Sequence, residues 1–188
     1  MKPRPLIGSL LLAATGFSAT GTAIAAEWAV VPETSSVSFV GVQQGTKFTG
    51  RFREFTATIN FDPSAPESGS IVGVVQTESV NTRDHDRDAA LLDGDWFASS
   101  NYPEARFEAA SITQADDGSF EAAGELTLKG STKPATLKFT FDSTANGAKF
   151  SGSMVIDRFA FNVGEGWNDT SWVGQNVDVN VELDLTAK

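Results

Sequence analysis

The chain has 188 residues, 40% of them hydrophobic with 14 Phe and 4 Trp, no cysteine, and a formal net charge of −10. That apolar content excludes a disordered chain, the length suits one domain, and the lack of cysteine excludes a disulfide framework. The acidic balance excludes the Lys/Arg-rich surfaces that bind nucleic acid or anionic headgroups.

The chain opens on a positive stretch, Lys2 and Arg4, followed by an apolar run from Leu6 to Phe17 and the small residues Ala23-Ile24-Ala25. This is the pattern of a cleavable export signal over 1–26, too short to span a bilayer, and it predicts a periplasmic protein. Without Lys2 and Arg4 the formal charge falls from −10 to −12. The remaining chain, 27–188, is expected to form one domain.

Hydrophobic period then identifies strands. Val177, Val179, Val181, Leu183 and Leu185 alternate with Asp178, Asn180, Glu182, Asp184 and Thr186, as only a half-buried strand requires. The same alternation predicts strands at 36–44, 47–61, 70–80, 104–115, 118–129, 133–143, 147–158 and 173–187, separated by turn residues such as Asp116-Asp117-Gly118 and Asn146-Gly147. Short links make successive strands antiparallel. No long amphipathic helix is available to cover the apolar face, so the sheet must close as a barrel or fold into a sandwich. Gly50, Gly124 and Gly152 share the parity of large apolar residues. They leave either room inside a barrel or bulges and bends at its corners.

One connection differs. Over 83–98 the sequence predicts a short helix, capped by Thr82 or Asp84, running from His85 to Leu92 and ended by Gly94, with Trp96-Phe97 in a following turn. Its apolar residues suit a lid over one end of a barrel, or a plug that simply caps it. Asp84, Asp86, Asp88 and Asp95 have the spacing of a calcium loop, but Ala89 stands where the turn needs Gly. A single histidine and no cysteine offer no transition-metal cluster, and no G-x-S-x-G accompanies His85. Neither a catalytic residue, a metal nor a cofactor is expected.

The run SVNTRDHDRDAALLDGDWFASSNYPEARFEA at 79–109, followed by AAGELTLKGSTKPATLKFTF at 122–141, resembles the YceI-like family, as do FTGRFREFTATINFDP at 48–63 and DRFAFNVGEGWNDTSWVG at 157–174. The resemblance implies an all-β, eight-stranded antiparallel, lipocalin-like barrel that carries a polyisoprenoid or related long-chain lipid in its interior. An isoprenoid quinone is among the cargoes so implied. On this reading Phe39, Phe48, Phe52, Leu126, Leu128, Phe139, Phe141 and Met154 line a tunnel, and Leu91, Trp96 and Phe97 close its mouth. The polar groups expected there are Arg83, Arg87, Arg158, Asn162, Asn168 and the indoles of Trp167 and Trp172. Function is expected to be non-catalytic carriage or storage of an isoprenoid or acyl lipid, with transient membrane contact. The competing expectation is a fully packed barrel that serves as a periplasmic protein-interaction or stress-response module. Oligomeric state is open, a dimer being compatible with the sequence.

Overall fold

Alternating residues do build strands throughout. The computed structural model describes residues 26–144 and 146–188, so the export signal expected at 1–26 lies, but for Ala26, outside the described residues. The strands are β1 (Glu27–Val30), β2 (Ser36–Gln43), β3 (Thr46–Phe52), β4 (Phe55–Asn60), β5 (Ser70–Gln76), β6 (Val80–Asn81), β7 (Glu104–Gln114), β8 (Phe120–Leu128), β9 (Ser131–Thr144), β10 (Gly147–Asp157) and β11 (Asn176–Ala187), with a helix α1 (His85–Leu92).

Three pairs of these are halves of single long strands. The first is interrupted between β1 and β2 by a 3-10 turn at Pro32–Thr34, where proline removes a backbone donor. The second parts at Arg53 and Glu54, and the third is interrupted by Thr77–Ser79. Counted this way there are eight long antiparallel strands, each paired with the next. β11 closes the ring onto β1 and β2, through Val30↔Leu185 and Val37↔Val181. The expected eight-stranded barrel is therefore present, with the strands read at 47–61 and 70–80 each interrupted once, at Arg53–Glu54 and at Thr77–Ser79.

Two seams of the wall are incomplete. Between the first and second long strands the ladder runs from Gln43↔Thr46 to Val37↔Phe52 and resumes only at Trp28↔Ile59, leaving 29–36 and 53–58 unpaired with each other. Between β9 and β10 pairing stops at Lys138↔Ser153. Pro134 sits beyond that point, paired only with Glu125 of β8, so its missing N–H falls on the side that has no partner. A 3-10 turn, Arg158–Phe161, packs beside β9 there.

The core is unequal along the barrel. Toward the chain termini Phe61, Phe120, Phe139, Phe141 and Phe150 form a solid aromatic cluster, with centroids 4.7–5.4 Å apart in edge-on and stacked pairs. β1 seals this end: Trp28 stands edge-on to Phe141 at 5.2 Å, and its indole N–H donates to the Phe61 carbonyl at 2.9 Å. Toward the other end, α1 and the segment after β10 lie across the barrel.

Candidate lipid-binding cavity

The upper barrel holds a cavity of about 190 Å³, roughly ten to twenty times the space one water needs. Its wall is almost wholly carbon: Val37, Phe39 and Gly41 of β2, Phe48 and Phe52 of β3, Phe55 and Ala57 of β4, Leu126 and Leu128 of β8, Met154 and Ile156 of β10, and Val177, Val179, Val181 and Leu183 of β11. Six of the eight residues read from the sequence as tunnel lining, Phe39, Phe48, Phe52, Leu126, Leu128 and Met154, stand on this wall. Phe139 and Phe141 do not. They have the correct inward parity but sit in the aromatic cluster below the cavity, because parity fixes the face of a strand and not the height along it.

The hollow does not come from the glycines singled out by parity. A Cβ on Gly50 would lie 2.2 Å from the Phe39 ring, and one on Gly41 would lie 2.7 Å from Phe48. In the register Phe39↔Gly50 and Gly41↔Phe48, each ring covers the glycine facing it. Gly124 faces the bulge at Ala109/Ser111, where a Cβ would meet the Glu108 carbonyl at 2.2 Å; Gly152 is covered by Phe150. Of the two readings those glycines allowed, the bulge holds for Gly124 alone, while Gly50 and Gly152 lie in unbroken ladders and are filled by neighbouring phenylalanine rings. Gly73 makes the room. It faces the cavity between Ala57 and Phe107, and a Cβ there would have no neighbour within 4 Å. Its parity was readable, but in the run Ile71-Val72-Gly73-Val74-Val75 both faces are apolar and the inward one is not marked.

The segment 83–98 closes the mouth. Asp84 caps α1 by accepting from the Arg87 backbone N–H at 3.0 Å, which holds its carboxyl below the usual range. Asp88 accepts from the backbone and hydroxyl of Thr82 at 2.7 and 2.6 Å, so these carboxylates serve the turn. Leu91, Trp96 and Phe97 line the cavity from above, and Phe97 lies 6.0 Å from Phe52. Arg87 lies over the Phe48 ring at 4.2 Å and donates to Gln43 at 3.0 Å, beside the opening.

Arg158 has another part than the sequence suggested. It lines the cavity yet is only 2% exposed, and all five of its N–H groups are engaged by backbone carbonyls. Nε donates to Gly174, one terminal nitrogen to Val163 and Gly164, the other to Trp167 and Val173. Burial lowers its pKa from the ordinary value, but a guanidinium stays charged. With every donor used, it cannot also bind a head group; it ties the segment 162–175 across the mouth. Gly164, at φ +73°, lets that segment pass, since a Cβ there would lie 2.5 Å from the guanidinium. Sequence reasoning had no signal for this, because the partners are main-chain carbonyls from a loop.

The other polar candidates lie outside the cavity wall. Asn162 is left-handed at φ 56°, and its carbonyl accepts from Lys129 at 2.7 Å. Trp167 rests on Trp96 at 6.2 Å and is 45% exposed; Trp172 is 51% exposed, its carbonyl accepting from Gln44. Arg83 and Asn168 are exposed.

Comparison with known proteins agrees with this architecture. The model of the YceI-like domain matches residues 28–185. Protein YceI of Escherichia coli is 33% identical over 138 residues, 72% of this chain and 71% of that protein. The crystal structure of Burkholderia cenocepacia BcnA superposes with a TM-score of 0.79 at 31% identity, over 82% of this chain and 98% of that one. A polyisoprenoid-binding domain from Saccharophagus degradans, 18% identical, shares the fold at a TM-score of 0.66, over 86% of this chain and 98% of that one. The chain therefore belongs to the YceI-like family.

Proposed function

We propose that the protein is a non-catalytic carrier or store of a long-chain apolar lipid, an isoprenoid lipid or isoprenoid quinone, acting in the periplasm. The observation that carries this reading is the carbon-walled cavity beneath the lid, kept open at Gly73. A wall almost wholly of carbon, whose one guanidinium has every donor engaged by main-chain carbonyls, rejects any cargo that needs hydrogen bonds inside and accepts a tail that needs none. The polyisoprenoid-binding neighbour supports the isoprenoid choice by likeness of fold. The pattern of 1–26 supports export.

Each methylene moved from water into the cavity contributes about 0.8 kcal/mol. A bilayer shelters the same surface, so the tail gains little on leaving a membrane, and the protein exchanges cargo rather than retaining it against membranes. The head group then stays at the mouth near Arg87, whose guanidinium is steadied by Gln43 and Asp84. Organic extraction and mass spectrometry of freshly purified protein test the reading. A lipid released in about one-to-one ratio is expected. Protein that neither yields a lipid nor takes one up would overturn it in favour of an interaction module.

A further inference from the structure

A limit on the cargo follows from where the cavity ends, if the carrier reading holds. Its floor is Phe150, 1% exposed, stacked on Phe139 at 4.7 Å with the planes 19° apart. Phe139 in turn rests on Phe120 at 5.4 Å and Phe61 at 5.2 Å, so solid aromatic packing lies behind the first ring. The ring is seated on the wall: it lies against Gly152, where an added Cβ would be 2.9 Å from it, and Leu183 faces it on β11.

The depth can be read from the strands. From Phe150 to Arg158 at the mouth, β10 and its continuation advance eight residues. At about 3.4 Å per residue and a tilt of about 40°, this is roughly 27 Å along the strand and 20 Å along the axis. An extended chain advances about 1.2 Å per bond, so the bore takes about 16 bonds, or four isoprenoid units. A volume of about 190 Å³ spread over that length is one chain wide, which leaves no room for a tail to fold back.

We propose that Phe150 sets the tail length of the cargo: up to about four isoprenoid units enter the barrel, and the remainder of any longer tail stays at or beyond the mouth. The chemical class is a prenyl chain with a small head, and the residue that selects among its lengths is Phe150.

The test is the affinity of the delipidated full-length mature protein for all-trans prenyl alcohols of two, three, four, five and nine isoprenoid units, read by displacement of an apolar fluorophore. Affinity is expected to rise by up to about a thousandfold per unit up to about four, since each adds five buried carbons at about 0.8 kcal/mol, and then to change less than about threefold. Phe150→Leu, which keeps an apolar side chain on the strand, is expected to move the break toward longer tails. A wild-type affinity that keeps climbing from four to nine units overturns the length limit while leaving the carrier reading intact. A break that stays in place in a folded Phe150→Leu overturns the assignment to Phe150. Failure to bind any length overturns the carrier reading, and the limit with it.

Discussion

Gly73→Leu separates binding from folding. Gly73 lies mid-strand in β5 with backbone angles open to any residue, since it is not among the positive-φ positions, and a Cβ there has nothing within 4 Å. Leucine adds four carbons to the cavity, displacing about four methylenes of any tail. At about 0.8 kcal/mol each this weakens binding by about 3 kcal/mol, or about 200-fold. The empty protein gains instead. Glycine in a strand costs about 0.5–1 kcal/mol relative to alanine, and burying the new side chain adds a little more, so delipidated Gly73→Leu should be about 2 kcal/mol more stable. Urea unfolding of the delipidated proteins and fluorophore displacement by a prenyl alcohol read the two effects. Unchanged affinity, or a variant less stable than the wild type, would refute the placement of Gly73 on an empty part of the wall.

Phe141→Ala should do the reverse, costing about 3–5 kcal/mol of stability while changing lipid affinity by less than about twofold, because it belongs to the cluster below the floor. A large loss of affinity in a folded Phe141→Ala protein would place it on the tunnel after all. Arg158→Met removes donors to five carbonyls and should cost on the order of 3 kcal/mol, with faster amide exchange across 162–175; protection as in the wild type would count against the tether. In acid, Asp62, Asp117 and Asp169 each accept the hydroxyl and backbone N–H of the serine two residues on, and these bonds hold all three carboxyls below their ordinary 3.8. Their folded pKa values are depressed, so their contribution is complete above 3.8 and is lost as pH falls through the folded values. Stability should therefore be level from these groups at neutral pH and decline below 3.8, more shallowly when all three aspartates are replaced by alanine; acid curves that coincide would exclude these turns as the source.

Much of the barrel was legible because one face of each strand is wet, so period alone marks β7 to β11. β1 and β6, with four and two residues, are too short to show a period, and the break at Arg53 and Glu54 lies in a run whose alternation merely shifts phase. The site was legible in its wall and not in its depth. Phe39 and Phe139 read alike along the chain, and only the register around the closed ring puts one beside the cavity and the other beneath it. Glycines misled for a related reason: whether a missing side chain leaves space depends on the residue across the ladder, which for Gly50 is Phe39 and for Gly73 is Ala57 and Phe107. Arg158 was unreadable because its ligands have no side-chain identity.

The unpaired stretch between 29–36 and 53–58 sets the mechanics of the wall. Widening most seams means rupturing a ladder rung by rung, whereas this stretch can open between the rungs that flank it, Val37↔Phe52 and Trp28↔Ile59, with both intact. The barrel thus has a built-in expansion joint beside Val37, Phe52, Phe55 and Ala57, where its girth is not fixed by a continuous ladder.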